Sequence, residues 1–188
     1  MVRIWLPEPN KKDPRGLFYL APDRAIIVTT NKEDDMAQKI TPNLWFNGNA
    51  KEAVDYYVSV FPDGKILSTE RYPNSTEEGL ADFQKDLAGK VLTIQFEVGG
   101  MQFIAINAGA EFTLSEAVSF AVSCKDQEEI DYYWDKLSHV PESEQCGWCK
   151  DQFGLSWQIV PENMGELMKR PNAFSNMMQM KKLIISEF

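Results

Sequence analysis

Two cysteines stand three residues apart in "ESEQCGWCKDQFGLSWQIVP", residues 142–161, as Cys146-Gly147-Trp148-Cys149. That spacing serves a thiol redox pair, half of a zinc site, or two unrelated thiols in a strand. A thioredoxin-type pair sits where a strand meets a helix, whose N-terminus lowers the first thiol's pKa. No helix follows here: "KDQFG" is a turn, and "LSWQIVP" is another strand. In an extended strand Cys146 and Trp148 share one face and Cys149 takes the other, so the Cβ vectors diverge and a disulfide does not close. Zinc needs a second pair, and Cys124 and His139 are the available candidates, at a helix start and in the loop after it. The stretch reads as the last hairpin of a module with two strand thiols; redox and metal roles stay open beside it.

Other reactive side chains are sparse. His139 is the sole histidine, so any Ser-His-Asp or Cys-His mechanism runs through it, yet "LSHVPE" places it at a helix end. Glu70, Asp82 and Glu97 lack a partner at useful spacing and read as solvated charges, so no acid-base pair is assigned. The methionines of "NMMQM", with Met164 and Met168, suit packing onto a sheet or a partner subunit, or an adaptable binding surface. No Gly-rich loop joins a strand to a helix in the manner of dinucleotide or S-adenosylmethionine sites.

The elements that would position these residues repeat. "KITPNLWF" is strand-like, "NAKEAVDYYVSVF" is a helix with Asn49 as N-cap and Glu52 three residues on, and "GKILSTERY" is a strand. "KVLTIQFEV" and "MQFIAIN" follow, joined by the hairpin signal Gly99-Gly100. The order recurs as strand "AVSFAVSC", helix "DQEEIDYYWDKL" capped by Asp126, a polar stretch, then "QCGWCK" and "LSWQIVP". "EAVDYY" and "EEIDYY" mark the two helices as copies. The expectation is an α+β chain: an extension or linker over 1–37 carrying the short strand "RAIIVTT", a βαβββ module over 38–110, a second over 111–161, and two C-terminal helices over 162–188 split at Pro171. With 188 residues, 44% of them hydrophobic, there is enough chain for a well-filled core. A formal charge of -9 disfavours nucleic acid and anionic membrane surfaces. The sequence has no run near the roughly 18 apolar residues that span a bilayer, and three cysteines suit a reducing compartment, so a cytoplasmic location is expected.

The segments "KITPNLWFNGNAKEAVDYYVSVFP", "ILSTERY", "EAVSFAVSCKDQEEIDYYWDKLS", "CGWCKDQFGLSWQIVP" and "MMQMKKL" resemble the PhnB-like branch of the vicinal oxygen chelate superfamily, home of glyoxalases, bleomycin-resistance proteins and extradiol dioxygenases. The branch often carries the label 3-demethylubiquinone-9 3-methyltransferase. Cys149 departs from the pattern, which usually has an apolar residue there. The resemblance implies a curved sheet in each module forming a cup, and a homodimer whose modules pair across chains. Enzymes of the superfamily hold a divalent metal in that cup. The positions carried over are Pro42 or Asn43, Val118 or Ser119, Ile104, and Gln158; none is His, Asp, Glu or Cys. Gln158 alone offers a neutral oxygen, and one such ligand does not hold a catalytic metal. What the resemblance leaves is a metal-free cup, without cofactor, lined by Trp45, Asn107, Ser119, Trp148 and Gln158, that takes a small apolar or aromatic molecule. The alternatives are a glyoxalase- or dioxygenase-type enzyme with atypical ligands around Gln158 or a Cys146 thiolate, the methyl transfer of the label, and an interaction module.

Overall fold

The computed structural model describes residues 38–188. Ile40–Phe188 forms one compact unit. The extension over 1–37, with the short strand expected at "RAIIVTT", lies outside the described residues.

The first module runs β1 (Asn43–Asn47), α1 (Ala50–Val60), β2 (Lys65–Arg71), β3 (Val91–Val98) and β4 (Met101–Ala108). Its sheet has the order β1-β4-β3-β2, with β1 parallel to β4 and the other pairs antiparallel. The second module runs β5 (Ser119–Cys124), α2 (Gln127–Leu137), β6 (Trp148–Lys150) and β7 (Ser156–Pro161), in the order β5-β7-β6 with β5 parallel to β7. A 3-10 turn at Pro141–Ser143 stands between α2 and β6, where the first module has β2, so this sheet is one strand shorter. Two short helices follow, α3 (Met164–Leu167) and α4 (Ala173–Met177), one on each side of Pro171.

Helical spacing in α1 brings Ala50, Ala53, Val54, Tyr57 and Val60 onto one buried face. The start of α2 is capped as the sequence suggests: Asp126 Oδ1 accepts from the Glu129 amide at 2.9 Å and Glu129 Oε2 accepts from the Lys125 amide at 2.7 Å. The start of α1 is not. Asn49 makes no side-chain cap, and the Ala50 amide instead donates to Asn107 Oδ1, 3.1 Å away on β4. A strand residue thus satisfies one of the orphan amides of the first turn and ties helix to sheet.

The β3–β4 turn needs left-handed backbone, and Gly99 (φ 57°) and Gly100 (φ 72°) supply it. Both glycine amides donate to Asp63, at 2.9 and 2.7 Å, one to each carboxylate oxygen. Burial pushes the Asp63 carboxyl up, but these amide bonds and nearby Lys65 outweigh it and hold it below the usual carboxylate range.

One core joins the modules. Phe96 and Phe103 from the first sheet, Tyr57 and Phe61 from α1 or its end, and Tyr133, Trp157 and Ile159 from the second module form a single buried cluster. Trp157 lies 5.7 Å from Tyr57 and 5.8 Å from Phe61, ring centre to ring centre, and Phe120 meets Phe103 edge-on at 4.9 Å. The repeated tyrosines act reciprocally. Tyr56 Oη donates to the Lys136 carbonyl in the last turn of α2 (2.5 Å), and Tyr132 Oη donates to the Val60 carbonyl in the last turn of α1 (2.8 Å). Each module therefore satisfies an end carbonyl of the other's helix.

Candidate functional site

Strand register sorts the sheet residues by face. Partners across a ladder share a face, and neighbours along a strand alternate. Leu44, Phe46, Ile94, Phe96, Phe103 and Ala105 fall on the helix side, as do Cys149, Trp157 and Ile159 in the second sheet. Because both helix sides enter the shared core, the space between the modules is filled with aromatic rings. The candidate cup positions are therefore the two faces turned away from α1 and α2, called helix-free below, although at Val160 the second of them packs against the C-terminal cluster of Leu167, Ala173 and Met180.

On the second sheet that face carries Ser119, Trp148, Lys150, Ser156 and Gln158. Gln158 sits in the central strand with Trp148 directly opposite on β6 and Ala121 opposite on β5. Its Nε2 donates to Ser119 Oγ at 2.9 Å. Ser156 lies between Ser119 and Lys150 in the same ladder, only 1% exposed, and its Oγ has no hydrogen-bond partner. Lys150 is ion-paired with Glu116.

On the first sheet the helix-free face carries Trp45, Thr93, Gln95, Ile104 and Ile106. Trp45 Nε1 donates to the Gly109 carbonyl at 2.8 Å and its ring meets Phe112 edge-on at 4.9 Å. Gln95 Nε2 donates to Gln102 Oε1 at 3.3 Å, and Gln102 in turn donates to Glu97 Oε2 at 3.4 Å. The sequence reading missed Thr93, Gln95 and Gln102; the alternation of "LTIQFEV" was the signal for the first two, once the buried face was known.

Of the five expected lining residues, Ser119, Trp148 and Gln158 come together on one face and Trp45 lies on the equivalent face of the other sheet. Asn107 does not belong with them. It is buried on the helix side, where it accepts from Ala50 and donates through Nδ2 to the Val91 carbonyl at 3.0 Å. Its role is to cap α1, and register is the reason: Asn107 pairs with the core residue Phe46.

The cysteines also differ from expectation in two respects. Cys146 is not in a strand: its φ is 51° and that of Gly147 is 86°, and β6 begins only at Trp148. All three thiols are free. Cys149 is buried in the core, and burial together with the Asp151 and Glu144 charges pushes its thiol up to about 12. Cys124 ends β5 instead of starting α2, and burial drives its thiol to about 12 as well.

Asp151 is the functional-looking residue that sequence reasoning passed over. Its carboxylate is 1% exposed and accepts four hydrogen bonds. Phe153 and Leu155 amides reach Oδ1 at 2.8 and 3.0 Å; Trp157 Nε1 and Tyr57 Oη reach Oδ2 at 2.8 and 2.9 Å. Burial pushes this carboxyl up, against the pull of all four donors. It acts as a clamp joining the β6–β7 turn to α1. An aspartate at the start of "DQFG" is an Asx-turn signal that marks the first of these bonds.

The positions that hold a metal in enzymes of this architecture do not fit one here. Asn43 donates its side-chain amide to the Thr41 carbonyl, Ile104 is hydrocarbon, and Ser119 and Gln158 offer only neutral oxygens. Among the described residues no group of three or more His, Cys, Asp or Glu side chains is placed to hold a metal ion. An open groove of about 680 Å³ lies elsewhere, lined by Asn176, Met180, Lys181, Lys182 and Glu187. Its two lysines are ion-paired with Glu144 and Asp131.

The sequence model of the 3-demethylubiquinone-9 3-methyltransferase family matches residues 38–160, which span both modules. The chain belongs to this PhnB-like family. A solved PhnB protein from Bacillus cereus, bearing the same methyltransferase label, is 34% identical over 66% of this chain and 99% of its own, with a TM-score of 0.51. Protein PA1353 from Pseudomonas aeruginosa is 19% identical over 67% of this chain and 98% of its own, also at a TM-score of 0.51, and shares the fold. No curated protein matches the chain. The PhnB-like assignment agrees with the two-module α+β architecture, and no helix among the described residues is long and apolar enough to cross a membrane.

Proposed function

We propose that this PhnB-like chain binds a small apolar or aromatic organic molecule on the helix-free faces of its sheets, without a metal. The observation that carries this is the group Trp148, Gln158 and Ser119, where an aromatic ring and a hydrogen-bonded amide–hydroxyl pair share one face in place of metal ligands. A mostly apolar surface with a few fixed polar groups is the usual chemistry of a small-molecule site. In the proposed arrangement a second copy brings one module's face against the other module's face and completes the site.

The label's methyl transfer finds no support in the sequence, which lacks a Gly-rich cofactor loop between strand and helix. A glyoxalase- or dioxygenase-type reaction would need a metal held by ligands other than those at the expected positions. Mass spectrometry of the intact untagged protein after incubation with Mn, Fe, Co, Ni and Zn salts separates these readings. No metal above background is expected, with two chains per particle by light scattering. About one metal per chain, lost in Gln158→Ala, would overturn the metal-free reading, and a monomer would remove the shared site.

A further inference from the structure

The polar groups on the second sheet's helix-free face form a neutral set, and their composition limits what they bind. Gln158 spends one amide hydrogen on Ser119 Oγ. Its carbonyl oxygen and second amide hydrogen remain, as do the hydroxyl hydrogens of Ser119 and Ser156. Turning the Gln158 amide over exchanges which end meets Ser119 and leaves the set neutral. Ser156 Oγ is the one buried side-chain oxygen or nitrogen without a partner among the described residues, and a buried hydroxyl left unbonded is costly unless something supplies its bond. Lys150, the charged residue on this face in β5, β6 and β7, is occupied by Glu116.

We infer that the Ser119–Ser156–Gln158 cluster recognises an uncharged group that both donates and accepts, a carboxamide or a comparable hydroxyl–carbonyl pair, borne on a ring that packs against Trp148. This rests on the small-molecule reading above and narrows it. An anion buried here would lack a free cation and lose its hydration, whereas an amide exchanges water for Gln158 and the serines without burying charge. Trp148 is directly cross-strand from Gln158, a separation of about 5 Å between Cβ atoms, so a ring packed on the indole can bring a carboxamide it carries within reach of the Gln158 side chain.

Benzamide and benzoate are the probes, matched in shape and differing in charge, with indole as an uncharged ring lacking the carboxamide. Each is titrated into the full-length protein while the Trp148 indole and Gln158 side-chain amide signals are followed by NMR. Benzamide is expected to shift both signals and to bind about tenfold more tightly than benzoate; Gln158→Leu should weaken benzamide about fivefold and leave indole binding unchanged. Benzoate binding as tightly as benzamide, or benzamide unaffected by Gln158→Leu, overturns the neutral subsite. If indole moves Trp148 and benzamide is no better, the subsite fails while the small-molecule reading stands. If none of the three moves Trp148, that reading fails too. Retained amide dispersion in the variant shows that it is folded.

Discussion

Replacing Asp151 tests the least expected feature of the fold. Its carboxylate takes two backbone amides on one oxygen and an indole and a phenol on the other, all at 2.8 to 3.0 Å. In Asp151→Asn the oxygen serving Phe153 and Leu155 survives. The new amide group then faces the Trp157 N–H, donor against donor, while the Tyr57 hydroxyl can turn and accept. One buried donor is orphaned, which costs about 1–3 kcal/mol. Loss of the buried charge offsets part of that, so a net destabilisation of about 1–2 kcal/mol is expected. Asp151→Ala orphans both backbone amides and the indole, and about 4 kcal/mol is expected, a large share of the 5–15 kcal/mol typical of a domain. Urea unfolding followed by circular dichroism and tryptophan emission measures both. The pH dependence gives a second, independent signature. Burial raises the Asp151 pKa in the folded state, so the folded protein holds this proton more tightly than the unfolded chain. Its contribution to stability is therefore fully present below the unfolded pKa, near 4, and is lost as pH rises through the folded value. Asp63 and Glu144, held low, act in the opposite direction, so the difference between wild type and Asp151→Asn isolates this group. An Asn variant as stable as wild type, with the same pH slope, would refute the clamp.

Three further outcomes follow from the same geometry. Tyr56→Phe and Tyr132→Phe each remove one hydroxyl bond to the other module's helix end, and each should cost about 0.5–1.5 kcal/mol in urea unfolding, with the double variant close to the sum because the two bonds share no atoms. Asn107→Ala leaves the Ala50 amide and the Val91 carbonyl without their partner and should cost about 2 kcal/mol, whereas Asn49→Ala, which removes no cap, should cost under about 0.5 kcal/mol. A thiol reagent at pH 8 should label one cysteine per native chain, Cys146, and all three in urea, since Cys124 and Cys149 are buried and their thiols are held near 12.

Much of the fold was legible because it repeats. The periodicity of "EAVDYY" and "EEIDYY" placed both helices, and Gly99-Gly100 placed the hairpin, since these are local preferences that burial reinforces. The site was legible only in part because a face is set by register, and register is set by partners far along the chain. Asn107 and Gln158 look alike in sequence, each a polar residue in an apolar strand. Asn107 pairs with Phe46 and points at α1; Gln158 pairs with Trp148 and points away. Cys146 failed for a local reason: its left-handed backbone, followed by Gly147, ends the extension before β6 begins.

The two faces of the repeat carry different constraints. On the helix side the modules do the same job twice: Tyr56 and Tyr132 exchange equivalent bonds, and both sheets feed one aromatic core, so a change in either copy disturbs the other. On the helix-free side no such exchange of bonds links them among the described residues. There the first sheet presents Trp45, Thr93 and Ile106 in one row, and the second presents Ala121, Gln158 and Trp148 in its own. A ligand seated between such faces meets a different surface on each side: ring and methyl groups from one module, an amide beside a ring from the other. Under the proposed reading, a molecule with a polar group at one end and hydrocarbon at the other would be matched by that difference.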